Sequence, residues 1–104
     1  MDFNNLLTSQ LVGAKDTEVV VSRVTVPANT SLPMHWHPGE EFAYVLEGSL
    51  VLIQEGKEDE IYNKGDVGVV PFKQVHTIKT KEEGVTVLVF RVHEQGQPER
   101  VLMN

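Results

Sequence analysis

Three of the chain's four histidines stand where one metal ion could use them. His35 and His37 flank Trp36. In extended backbone, residues two apart project to the same side, so both imidazoles can converge on one ion. Glu41 follows four residues after His37, beyond the Pro38-Gly39 turn. Its carboxylate reaches the same ion if strand geometry resumes there, although the turn breaks simple parity. His76 comes just after Pro71-Phe72-Lys73-Gln74 and would close the site from another strand. Neutral nitrogen with one carboxylate suits Fe(II), Mn(II), Ni(II), Co(II), Cu(II) or Zn(II), and chooses none of them. Each residue also has an inert reading. A His-x-His beside a proline turn is often an exposed pair without function, and a lone histidine in an apolar strand is more often a satisfied core residue.

Positioning four such groups requires strands. Short β-branched runs occur at 18–26, 42–46, 50–53, 67–70, 75–78 and 85–92. Between them stand the turn signals Pro27-Ala28-Asn29, Pro38-Gly39, Glu47-Gly48-Ser49, Glu55-Gly56-Lys57, Lys64-Gly65-Asp66 and Glu83-Gly84. Runs and turns at this spacing predict an antiparallel all-β barrel or sandwich. Only Phe3 to Leu11, with apolar residues at 3, 6, 7 and 11, could form a short helix, with strand addition or a loose arm as alternatives. Lys57-Glu58-Asp59-Glu60 reads as a solvated hairpin end. The tail from His93 to Arg100 loses the apolar pattern and is expected to leave the core, with His93 on the surface.

Composition narrows the functions. At 104 residues the chain is expected to be a single domain over 1–104, small enough to gain stability from a metal or a partner subunit. Fifteen acidic against nine basic residues give a formal charge of −6, the wrong sign for a nucleic-acid surface. With no cysteine, disulfides, thiolate nucleophiles, iron–sulfur clusters and cysteine zinc sites are excluded. Met1-Asp2-Phe3-Asn4-Asn5 carries an acid where a secretory signal carries a base, and no apolar run approaches the ~18 residues needed to span a bilayer. A cytoplasmic protein with neither nucleic-acid nor membrane partners is expected. No serine sits in a nucleophile elbow and no glycine-rich loop offers a phosphate cradle.

His35-Trp36-His37-Pro38-Gly39-Glu40-Glu41, then six residues to Gly48, resembles the first cupin motif; Gly65, five residues, Pro71, then His76 resembles the second. The resemblance implies a double-stranded β-helix, the jelly-roll-like cupin barrel. It also implies a divalent ion held by His35, His37, Glu41 and His76, with two octahedral positions left for water, dioxygen or substrate. It further implies a homodimer, paired through sheet edges or exchanged N-terminal strands; otherwise Val19-Val20-Val21 would leave an unprotected edge. Asn29, Lys73 and Thr80 depart from the family's two glycines and its terminal asparagine. Asparagine tolerates positive φ, whereas lysine at 73 costs roughly 1 kcal/mol there, so a locally altered turn is expected, with an ammonium near the pocket mouth.

Alternation puts Ala43 and Val45 on the face of Glu41, and Ile78 and Thr80 on that of His76, predicting a small, largely apolar pocket. Met34, Trp36, Tyr44 and Glu40 are expected to face away, while Phe90 could be core or pocket wall. The functional expectation is a metal-dependent enzyme acting on a small organic molecule by dioxygenase-like, isomerase or lyase chemistry. Its alternative is a non-catalytic binding or sensing module using the same pocket.

Overall fold

A computed structural model describes residues 1–98 and 100–103, which form strands and no helix. In chain order these are β1 (Asp2–Gln10), β2 (Thr17–Val26), β3 (His35–Trp36), β4 (Gly39–Gln54), β5 (Glu60–Asn63), β6 (Val67–Val70), β7 (His76–Lys79), β8 (Val85–Glu94) and β9 (Val101–Leu102). All pairings are antiparallel. One wall runs β1-β2-β8-β4-β6 and the other β5-β4-β7-β3-β9, so β4 belongs to both. The result is a curled sheet closed into a double-stranded β-helix. No helix is long and apolar enough to cross a membrane.

The shared strand corrects the expectation of two strands at 42–46 and 50–53. Glu47-Gly48-Ser49 is a bend inside β4, where the register against β8 shifts between Val45 and Glu47. Gly48 holds φ 74°, and a Cβ there would collide with the carbonyl oxygen of Gly84. Before the bend, residues 39–48 pair with β8; after it, residues 49–54 pair with β5 and β7.

Phe3 to Leu11 takes the strand alternative, with β1 hydrogen-bonded along β2. A bulge between Asn5 and Leu7 resets the alternation, which is why the apolar spacing mimicked a helix. Val19-Val20-Val21 is therefore not an edge; it lies between β1 and β8. Residues 57–59 remain in turn and coil, but Glu60 opens β5. The tail also departs from expectation: β8 runs on to Glu94 and buries His93, and β9 returns to pair with β3. Glu99, within that tail, lies outside the described residues.

Side chains inside the barrel change character along its length. The dry end is Val24, Val26, Val45, Leu50, Leu52, Val70, Val85, Val87 and Val89. On β8 the inward sequence then becomes Arg91 and His93, and on β4 Val45 and Ala43 give way to Glu41. The outer face of the first wall is apolar as well. Leu7, Val21, Phe90, Phe42 and Val69 stand in register across five strands, with Leu88, Tyr44 and Val67 in the next row. Phe42 (40%), Tyr44 (43%), Val69 (47%) and Phe90 (38%) all keep substantial solvent exposure.

Candidate metal centre

The site is assembled at the polar end of the barrel by three short pieces of strand. His35 on β3 lies directly opposite His76 on β7, with ring centroids 4.4 Å apart. His37 follows two residues after His35 and brings its ring to 4.9 Å from His35 and 5.1 Å from His76. One ligand nitrogen from each ring lies within 4.8 Å of the others, so this cluster could hold a metal ion. All three histidines are buried. Gly39 lets β4 start close against β8, because a Cβ there would strike the carbonyl oxygen of Val92. That approach carries Glu41 inward, with Oε2 3.0 Å from His37 Nε2 and Oε1 3.7 Å from His76 Nε2.

Two of the rings are oriented by the same device. His35 Nδ1 lies 2.8 Å from the Pro33 carbonyl and His76 Nδ1 lies 2.8 Å from the Gln74 carbonyl, each two residues upstream. A carbonyl only accepts, so each Nδ1 must donate, and the Nε2 lone pair is left for the ion. His76 Nε2 is buried and has no hydrogen-bond partner among the described residues. Such an orphaned acceptor inside a ring of imidazoles is what a bound cation would satisfy. Burial lowers the His35 pKa from 6.5 to about 4, with further lowering from His76 and His37, so its ring is neutral at neutral pH. Burial alone would raise the Glu41 pKa. The contacts with His37 and His76 and the charge of Arg91 outweigh it and hold the carboxyl well below its ordinary range.

The cavity around these groups measures about 70 Å³ and is walled by Val24, Leu32, Ala43, Leu50, Ile78, Val87 and Val89, with Met1, Phe3 and Arg100 at the N-terminal strand's side. It is the small apolar pocket that alternation predicts, closed at one end by imidazoles, a carboxylate and a guanidinium.

Residues 22–92 match the cupin domain family. The chain is a cupin. Its fold is similar to that of the DMSP lyase DddQ from Ruegeria pomeroyi DSS-3 (26% identity, TM-score 0.76), covering 86% of this chain but 44% of that one. It is also similar to the polyketide cyclase RemF from Streptomyces resistomycificus (26%, TM-score 0.69, 88% of this chain and 75% of that one). An RmlC-like cupin from Methanocaldococcus jannaschii shares the fold at 17% identity (TM-score 0.75, 89% and 80%). This cupin thus spans less than half the length of the lyase. No curated protein sequence matches it.

Two of the cupin's motif departures keep the family's backbone. Asn29 takes φ 54° and Lys73 takes φ 59°, so the turn at 73 is held rather than altered. Its amide donates to the His37 carbonyl at 3.3 Å, bracing the loop that carries that histidine. The Lys73 ammonium does not line the cavity; it lies 5.4 Å from the Phe72 ring centroid and 5.9 Å from that of Trp36. Those two ring contacts help offset the cost of the positive φ. Thr80 is buried but clamps the preceding turn instead of facing the pocket, donating to the Pro27 carbonyl at 2.6 Å and accepting from the Thr30 amide. Val45 lies deeper, in the dry core.

Tyr44 and Glu40 are exposed, as parity predicts, and Phe90 is on the outer face rather than in the core or the pocket wall. His93 is 4% exposed, with Nε2 3.0 Å from Glu18 Oε1, because β8 continues past the point where its apolar pattern ends. Sequence reasoning missed Arg91, which lies opposite Glu41 and donates from Nε to Oε2 at 3.0 Å. A lone cation one parity step beyond Val85, Val87 and Val89 was the available signal. It also missed Gln54, buried opposite His76 and inward by the alternation of Leu50 and Leu52.

Proposed function

We propose that this cupin is a metal-dependent enzyme acting on a small organic molecule, with His35, His37, Glu41 and His76 as ligands to one divalent ion. The observation that carries the reading is the convergence of three buried imidazoles and a low-pKa carboxylate at one end of an apolar cavity. A bound ion there would polarise a coordinated carbonyl, carboxylate or water. The chain's own contribution is to orient the imidazoles through Pro33 and Gln74, to keep His35 unprotonated, and to exclude bulk water with valine and leucine walls. Among the chemistries open to such a site, likeness to a protein named as a lyase and to one named as a cyclase favours bond cleavage or closure over oxygen insertion.

The test begins with metal uptake. Purified protein offered Fe(II), Mn(II) or Ni(II) should bind one equivalent, and His76→Ala should lower the affinity more than about 100-fold, beyond what loss of an outer-shell partner costs. Loaded protein should then convert a member of a small carbonyl or carboxylate panel, and the same variant should abolish turnover. Saturable binding without product would instead favour a sensing module.

We further propose that the cupin works as a homodimer joined through the outer face of the first wall. Support comes from the row Leu7, Val21, Phe90, Phe42 and Val69, exposed at every position except the half-buried Val21. Five strands at about 4.8 Å make that row roughly 19 Å long. A contiguous apolar patch of this extent marks an interaction surface more often than a solvated one. Phe42→Glu should convert the protein to monomers in sedimentation equilibrium; an unchanged mass would reject this interface.

A further inference from the structure

Arg91 is a buried cation beside the proposed metal site that the site does not use as a ligand. It is 5% exposed, it lines the cavity, and its Nε–H donates to Glu41 Oε2. Its Nη1 is buried with no hydrogen-bond partner among the described residues. A guanidinium has five N–H donors, and leaving a buried one unmade is costly, more so for a charged group. Phe3 covers the group from β1, with the guanidinium carbon 4.8 Å from the ring centroid. This roof excludes water and strengthens whatever electrostatic contact the cation makes.

The surrounding charges give the sign of the missing partner. The chain carries −6 overall and has only three arginines, yet two of them, Arg91 and Arg100, line the same cavity. Glu41 balances one of these cations. Two guanidiniums against one carboxylate leave the cavity with an excess positive charge before any ion is added, inside a protein of opposite overall charge. The remaining walls are hydrocarbon: Val24, Leu32, Ala43, Leu50 and Ile78 among them. At about 30 Å³ per water, a volume of about 70 Å³ has room for about two waters, so any ligand body that enters it must be short.

We infer that Arg91 is a specificity-determining residue that receives the carboxylate of a small substrate, whose short apolar remainder lies against the valine and leucine walls. This rests on the functional reading above and narrows its substrate class to small monocarboxylates.

The experiment is an NMR titration of metal-free protein with propanoate, propanamide and 1-propanol, which share a body and differ in the head group. Propanoate should bind at least tenfold tighter than the other two and shift the Arg91 Nε–H resonance. Arg91→Lys keeps the charge but loses the planar fork, so propanoate affinity should fall about tenfold while that of 1-propanol stays unchanged. Arg100→Gln, at the exposed rim, should weaken propanoate only two- to threefold. Equal binding of acid and amide would overturn the inference. So would an acid preference that survives Arg91→Lys, or one that appears only after Mn(II) is added, since the ion alone would then be the anion receptor. If Arg91→Lys does not fold, the wild-type acid-to-amide ratio and the Arg91 resonance decide the matter. Loss of the metal reading would show as unchanged Mn(II) uptake in His76→Ala and would leave the metal-free acid preference intact.

Discussion

The two ends of the barrel interior share the same strands and differ in almost everything else. At one end β8 contributes Val85, Val87 and Val89, β2 contributes Val24 and Val26, and β4 contributes Val45. A few residues further along the same strands, the inward positions are Arg91, Ser22 and Glu41, facing His35, His37 and His76. The dry end gains stability with each buried methyl group, by about 0.8 kcal/mol per methylene. The polar end buries groups that cost free energy unless each is paired, and among the described residues it leaves His76 Nε2 and Arg91 Nη1 without a hydrogen-bond partner. One end stabilises the fold; the other uses part of that stability to keep a buried cluster of polar groups together.

The contrast can be broken most severely by moving a charge across it. Val26→Asp places a carboxylate at a fully buried position in the dry end with no partner. A loss of more than about 4 kcal/mol is expected, and circular dichroism should show no cooperative thermal transition. In the polar end, removal of a charge is the disruptive change. Glu41→Gln leaves Arg91 without its counter-charge and should cost about 3 kcal/mol, read as a lower urea midpoint, together with reduced metal uptake in a dialysis assay.

Acid sharpens the comparison, because only one end titrates. Between pH 6.5 and about 4 the unfolded chain takes up a proton that folded His35 refuses. Stability is therefore full above pH 6.5 and falls as pH drops towards 4. Glu41, held below its ordinary value of 4.5, adds to the loss as pH falls below that value. Each group contributes at most about 1.4 kcal/mol per pH unit. Urea midpoints of metal-free protein should decline across this window, and His35→Phe should flatten the upper part of the decline. The smallest effect belongs to the turn that braces His37. Lys73→Gly removes the strain of a φ of 59° but also frees the unfolded chain and loses two ring contacts. The net change in stability should stay within about 1 kcal/mol of zero.

Much of this was legible in the residues. The β-branched runs at 18–26, 67–70, 75–78 and 85–92 became β2, β6, β7 and β8 with ends shifted by a residue or two. The four site residues were legible as types and spacings, and the structure brings His35, His37 and His76 together with Glu41 beside them. What stayed hidden has physical causes. Gly48 looks like a hairpin turn because a positive φ serves a bend inside one strand equally well. The bulge in β1 hides its alternation. His93 looked exposed because hydrophobicity ends before the strand does, and Arg91 sits inside an otherwise apolar run; the burial of both depends on partners, Glu18 and Glu41, that lie 75 and 50 positions away in the chain.

The 16-residue strand β4 is covalently part of both walls, so neither wall can melt while the other survives: frayed hydrogen bonds on one side release the backbone that anchors the other. Amides of Val45 and Leu52, on opposite sides of the Gly48 bend, should therefore exchange with deuterium through one global opening, at matching free energies, whereas β1, attached along a single edge, should exchange by local detachment well before them.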